Sequence, residues 1–136
     1  MLNAEQVQAV IYDGLPAASE EGLLVESIGE HRARVRSPFR PSTLRPGGTI
    51  SGPTMMGLAD AAMYAAVLGA LGRVEMAVTQ NLNINFLSRP AQKDLIAEAV
   101  ILRLGRRSAV LEVQLFSEGS HDMVAHVTGT YALPVG

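Results

Sequence analysis

Gly47-Gly48-Thr49-Ile50-Ser51-Gly52-Pro53, followed by the apolar run from Thr54 to Gly72, decides the fold. Pro53 has no amide hydrogen and a preset φ, which suits a first helical position whose amide would lack an intrahelical partner. The Ala, Leu and Met residues that follow lose little side-chain freedom in a helix, and Gly72 supplies the stop. A helix over 53–72 is therefore predicted. Between Thr54 and Gly72 the only other side chains with polar atoms are Asp60 and Tyr64, so the helix has no solvent face and must be wrapped. The chain offers no second long helix, which leaves a sheet as the wrapper. At roughly 28 Å the helix could span such a sheet, but it is marginal for a bilayer with Asp60 inside it.

Working outward, Asn3 followed by Gln6 forms a capping-box pattern, and Val7, Val10 and Ile11 share one face. An N-terminal helix within 1–16 is expected, stopped by Gly14-Leu15-Pro16. Leu23 to Ile28 and His31 to Ser37 read as a hairpin about Gly29-Glu30, with Ala33 and Val35 inward and Arg32, Arg34 and Arg36 toward water or a ligand. Pro38 to Pro46 reads as a loop. After the helix, Leu82, Ile84 and Phe86 alternate with Asn81, Asn83 and Asn85, closed by Ser88-Arg89-Pro90. Leu95 to Leu104, Ala109 to Phe116 and Met123 to Leu133 follow with glycine turns between them. Four consecutive strands read as a meander, and a curved antiparallel sheet around one helix accounts for the pattern.

The 136 residues suit one domain, 1–136, able to bury a core without staples. A formal charge of -2 gives no global attraction to nucleic acid, and 18% charged with 48% hydrophobic residues argues against disorder. No cysteine excludes disulfides and thiolate nucleophiles, and three scattered histidines offer no metal cage. Neither nucleic acid nor membrane is expected as a partner. No signal-peptide pattern opens the chain, so a cytoplasmic location is the default expectation.

The lone acid in an apolar helix has two readings. It satisfies a backbone group or caps a loop, or it is a catalytic carboxylate whose interactions are strengthened by burial. Gly52 at the helix start is a cap or turn residue. Thr79 opens a strand, Asn81 lies on that strand's polar face, and Arg89, Arg106 and Arg107 are turn residues with forked guanidiniums that match phosphate.

This arrangement resembles the hotdog fold, and specifically the PaaI-like branch of the acyl-CoA thioesterases. That branch reads Asn-x-x-Gly-x-x-His-Gly-Gly, four residues, then Leu-Ala-Asp. Here Gly48, Gly52, Leu58, Ala59 and Asp60 match, while Arg45 stands for Asn, Ser51 for His and Pro53 for the second Gly. Leu82 to Pro90 and Leu104-Gly105-Arg106-Arg107 are similar to the family's later strand and basic turn. The resemblance implies an α+β hotdog thioesterase that hydrolyses acyl-CoA to free acid and coenzyme A. In it Asp60 would be nucleophile or general base, the Gly52 N–H would polarise the carbonyl, and Thr79 would position water from a neighbouring subunit. It further implies substrate contacts from Arg45, Gly48 and Ser51. On the residues themselves, Met56, with Met55 and Met63, would line an acyl pocket or fill the core, and Tyr64 would bond Asp60 or fill space. Asn81 would contact substrate, stay solvated or seal a subunit contact, and Arg89, Arg106 and Arg107 would hold phosphate or stay solvated. Coenzyme A enters only as part of the substrate, with no cofactor or metal, and the assembly is expected to be a homodimer extended to a dimer of dimers. Two alternatives stand beside it: a non-catalytic acyl-CoA sensor, motivated by Arg45 and Ser51, and a hotdog dehydratase, which would need a histidine that the glycine motif lacks.

Overall fold

Ser51 ends the glycine-rich turn as a helix N-cap, its backbone extended and its hydroxyl accepting from the Thr54 N–H at 3.3 Å. In the computed structural model, which describes residues 1–134, helix α3 then runs Gly52–Leu71 and ends at Gly72, whose φ is +90°. The helix starts one residue earlier than 53–72, because Ser51 rather than Gly52 takes the cap. Ten of its residues are buried, among them Leu58, Ala59, Ala62, Met63 and Val67. The expected wrapping by a sheet is present on one side, but the helix does have a solvent face, where Pro53, Met56 and Gly57 are exposed, because apolar and small residues occupy an edge that the sheet does not cover.

The sheet has six antiparallel strands in the order β1-β2-β6-β7-β8-β5: β1 (Leu24–Gly29), β2 (Arg32–Ser37), β5 (Val78–Phe86), β6 (Leu95–Leu104), β7 (Ser108–Ser117) and β8 (Met123–Ala132). A 3-10 turn at Pro41–Thr43 and strand β3 (Leu44–Arg45) lie inside the segment that reads as a loop, and β3 pairs with β4 (Thr49–Ile50) of the glycine-rich turn in a two-residue ribbon. This α+β hotdog arrangement is the expected one, with one difference. Strand β5 lies beside β8 and not beside β6, so only β6, β7 and β8 form the meander. A β5–β6 hairpin would need a loop of about two to five residues. The longer segment after Phe86 instead crosses the strand ends, where Leu87 N–H bonds the Val124 carbonyl and Ala91 N–H bonds Ser117 Oγ.

Helix and sheet approach closely at two glycines. A Cβ on Gly129 of β8 would come within 2.6 Å of Met63 Sδ, and one on Gly69 within 2.6 Å of Ile28 Cγ2. Met63 is fully buried at this contact and Met55 is in the same core.

The two sheet edges differ. Helix α1 (Ala4–Gly14), which carries the expected capping box between Asn3 and Gln6, covers the β1 edge, and Gln8 Oε1 accepts from the Val25 N–H at 2.8 Å. The Tyr12 hydroxyl donates to the Leu23 carbonyl. Pro16, read as a stop, opens a second short helix, α2 (Pro16–Glu21), because proline fits a first helical position as well as it ends a helix. At the other edge no element among the described residues covers β5, and Met76, Val78, Phe86 and Leu87 are all more than half exposed. The inner row Leu82, Ile84 and Phe86 is therefore only partly buried.

Arg34 and Arg36 lie on the solvent side of the sheet, as expected, but are paired with carboxylates rather than free. On the outer sheet face Arg34 bonds Glu26 at 2.9 Å and Glu98 at 2.6 Å, and Arg36 bonds Glu26 at 2.6 Å, Asp94 at 3.0 Å and Glu118. Burial alone would raise the Glu26 carboxyl, but hydrogen bonds from Arg36 and Arg34 outweigh it and hold it below the ordinary range. Asp94 is also lowered, first by the Phe39 N–H that it accepts and then by Arg36, against a rise from burial.

Candidate active site

Asp60 sits about two turns into α3, half-buried, where β8 and the start of β5 face the helix. Its Oδ1 accepts from the Thr79 hydroxyl at 2.6 Å and from the Tyr131 hydroxyl at 2.9 Å. Tyr131 also lies 3.2 Å from the Asp60 carbonyl oxygen. Oδ2 has no hydrogen-bond partner among the described residues. One carboxylate oxygen is thus fixed by two donors and the other is uncommitted, within a cavity of about 740 Å³ that Asp60, Thr79, Tyr64 and Tyr131 line. A volume of that order suits a small-molecule site.

Tyr131 did not stand out in the sequence. Burial pushes its hydroxyl far above the ordinary value, opposed in part by Thr79 and reinforced by the neighbouring Asp60 charge, so it stays a proton donor. Its ring stacks on Tyr64 with centroids 6.0 Å apart and planes 19° apart. Tyr64 does not bond Asp60, because its hydroxyl reaches the Glu75 carbonyl at 3.1 Å, yet its ring forms part of the cavity wall. The only signal for Tyr131 was its phase: in β8 it falls in the inward set with Ala125, Val127 and Gly129.

Thr79, expected to reach in from a neighbour, contacts Asp60 of its own chain. A bulge between Thr79 and Asn81 puts the two on opposite sides of β5. Thr79 pairs with inward Tyr131, and Asn81 pairs with outward Thr130, so Asn81 faces away from the Asp60 cavity. Asn83 and Asn85 share the outward row.

Gly52 does not join Asp60 within one chain. Eight residues separate them on one helix, roughly 12 Å along its axis. Gly52 packs against the Phe86 ring, with an added Cβ falling 3.2 Å from Cζ, at the far end of β5 from Thr79. Ser51 Oγ is 2.8 Å from Thr54 Oγ1 besides capping the helix, so its polar capacity is used locally. Arg45 is exposed on the β3–β4 ribbon, and its carbonyl accepts from Gly48 N–H. Gly48 has φ +79°, and its carbonyl accepts from Gln92 at 2.8 Å. Of the methionines expected around an acyl group, Met55 and Met63 are core residues, and Met56 is exposed but outside the Asp60 cavity.

The three candidate phosphate arginines separate into two places. Arg106 and Arg107 form the β6–β7 turn, which with Arg103 lines a small basic hollow near the start of β5. Arg89 follows the end of β5. They cannot grip one phosphate group within a single chain. His31, His121 and His126 are all outside the Asp60 cavity, and His126 instead faces Glu112 at 3.1 Å on the outer sheet face.

Comparison with known proteins agrees with the geometry. The family model described as "Thioesterase superfamily" matches residues 47–124. A candidate esterase of Halobacterium salinarum is 33% identical over 69% of this chain, which spans 65% of that relative's length. Among solved structures, a candidate thioesterase from Silicibacter sp. superposes with a TM-score of 0.89 at 36% identity, covering 98% of this chain and 93% of the other. A mutant of the phenylacetic acid degradation protein PaaI from Thermus thermophilus gives 0.75 at 30% identity, covering 86% and 97%.

Proposed function

The chain belongs to the thioesterase superfamily, and from that premise we propose that it is a thioester hydrolase whose substrates are acyl-CoA thioesters. The observation that carries this reading is the Asp60 carboxylate, held through Oδ1 by Thr79 and Tyr131 with Oδ2 uncommitted in a cavity. Oδ2 is the oxygen that acts. It either attacks the thioester carbonyl, expelling coenzyme A as thiolate and leaving a mixed anhydride for water to cleave, or it takes the proton of a water that attacks. A single turnover in labelled water that puts an unlabelled Asp60 oxygen into the acid and the water oxygen into Asp60 marks the anhydride route, with water attacking the Asp60 carbonyl of the anhydride.

The oxyanion donor comes from a second copy. A carbonyl carbon within bonding reach of Oδ2 cannot place its oxygen on an N–H roughly 12 Å away along the same helix. A two-fold, antiparallel pairing of exposed β5 edges resolves this. It sets the Thr79 and Asp60 end of one chain against the Phe86 and Gly52 end of the other. The same pairing brings Arg89 of one copy toward the Arg106 and Arg107 turn of the other, a clamp of forked donors suited to the phosphates of coenzyme A. The functional unit is then a homodimer with two sites, itself able to pair into a tetramer, working in the cytoplasm with no cofactor beyond the coenzyme A of its substrate.

The test is thiol release from a panel of short, medium, long and aryl acyl-CoAs by the native protein, Asp60→Asn and Asp60→Ala. Native turnover and a fall of roughly a hundredfold or more in both variants is the expected result. Equal rates in folded variants would end this mechanism. Tight calorimetric binding with no thiol released over hours would instead favour a sensor, a reading supported by Ser51 being occupied as a cap.

A further inference from the structure

The Asp60 cavity does not stop at the carboxylate. Ile11, Leu15, Gly57 and Ala61 line both that cavity and a second one of about 420 Å³ that continues toward the start of α3. The second cavity lies between α3 and the elbow joining α1 to α2, and Leu15, at that elbow, is 54% exposed. Gly57, less than one turn from Asp60, lies on the exposed side of the helix, and a Cβ built on it meets no atom within 4 Å, so the groove is open to solvent there.

The far end changes character. Past Ala17, Ala18 and Leu58 the walls carry Ser37, Thr54, Arg40 and the acid Glu21. Arg40 makes only a loose contact with exposed Glu21 at 3.9 Å, and its buried Nε has no partner among the described residues. Its guanidinium is not committed to the fold as those of Arg34 and Arg36 are. From Asp60 to Thr54 the helix covers roughly 9 Å, the reach of a medium-length acyl group or of an aryl ring on a short tether.

We propose that this continuous groove between α3 and the α1–α2 elbow is the acyl subsite, and that it selects acyl groups that are apolar along their length and end in an oxygen acceptor facing Arg40. The inference rests on the thioesterase reading of Asp60. The thioester stays at Oδ2 while the chain passes Gly57 and Ala61 beneath Ile11 and Leu15. Burying the apolar middle supplies affinity, and a terminal carboxylate or hydroxyl gives the guanidinium a partner. Small side chains at Gly57 and Ala61 open the passage.

The test compares kcat/KM for acetyl-, octanoyl-, ω-hydroxyoctanoyl- and suberyl-CoA in the native protein, Gly57→Leu and Arg40→Met. Gly57→Leu fills open space and adds a good helix former, so it keeps the fold. The expected result is a fall of roughly tenfold or more in its octanoyl-over-acetyl ratio. Arg40→Met should lower the suberyl-over-octanoyl ratio by about tenfold, with the hydroxyl substrate showing whether an acceptor suffices or a charge is needed. Unchanged ratios in both variants would overturn the proposal while leaving the hydrolase intact. If the native protein cleaves none of these thioesters, the reading of Asp60 fails instead. Calorimetry with the non-cleavable S-octyl thioether of coenzyme A then decides the groove alone, since binding to native protein but not to Gly57→Leu supports it and equal binding refutes it.

Discussion

The Tyr131 hydroxyl donates to Asp60 Oδ1 at 2.9 Å across 71 residues of chain, and Thr79 donates to the same oxygen at 2.6 Å. Two donors on one oxygen select which carboxylate oxygen is left to react, and they restrain rotation of the acid. Hydrogen bonds to charged groups contribute about 1.5–3 kcal/mol. Tyr131→Phe keeps the ring and its stacking on Tyr64 while deleting one donor. Its kcat should fall roughly ten- to a hundredfold with KM little changed, and Tyr131→Phe with Thr79→Val should fall further. Steady-state kinetics on the preferred thioester checks this. An unchanged kcat would show that Tyr131 only fills space.

The helix and its acid were legible because composition leaves few alternatives: an apolar run with a glycine-proline start must be wrapped, and one charge inside it is conspicuous. Strand β5 was legible for a similar reason, since the Asn rows separate cleanly from Leu82, Ile84 and Phe86. Tyr131 was not, because an inward tyrosine in an alternating strand looks like core until β8 is placed beside Asp60. Strand order also escaped, since local periodicity says which face a residue takes and not which strand lies next to which. The cap was read at Gly52 and not at Ser51, because glycine and serine both serve as N-caps and as turn residues.

Gly129 lets α3 approach the sheet. Its hypothetical Cβ lies 2.6 Å from Met63 Sδ and 2.9 Å from the Asn81 carbonyl oxygen, so one neighbour is backbone that cannot swing aside. Gly129→Ala should therefore destabilise the protein by about 1–3 kcal/mol despite the better strand propensity of alanine, which is the usual scale for overpacking. Urea unfolding measures it. Met63→Ala with Gly129→Ala should recover little, because the Asn81 contact remains.

Acid should weaken the fold through the outer ion cluster. Asp94 and Glu26 are both depressed below their ordinary values of 3.8 and 4.5, so the folded state binds fewer protons than the unfolded chain. Their contribution is complete above those ordinary values and is lost as pH falls through the lower folded ones. The urea midpoint should drop between about pH 5 and about pH 2, and Arg36→Met should flatten that drop by removing the guanidinium that Asp94 and Glu26 share. An equally steep drop in Arg36→Met would assign acid sensitivity elsewhere.

The exposed β5 edge links assembly to chemistry. Met76 and Leu87 flank β5, are 78% and 57% exposed, and lie outside both the strand ladder and the Asp60 cavity. Charges there cost a lone chain little, since nothing packs on them, but they would be buried in an edge-to-edge dimer. Met76→Asp with Leu87→Asp should therefore sediment as a monomer that melts in a single transition. If Gly52 of one copy serves Asp60 of the other, this monomer loses thiol release although every side chain of the site is intact. Its rate per chain should then climb with protein concentration as dimers re-form, while the native rate per chain stays flat. A fully active monomer would show that one chain holds a complete site and that the Gly52 assignment is wrong.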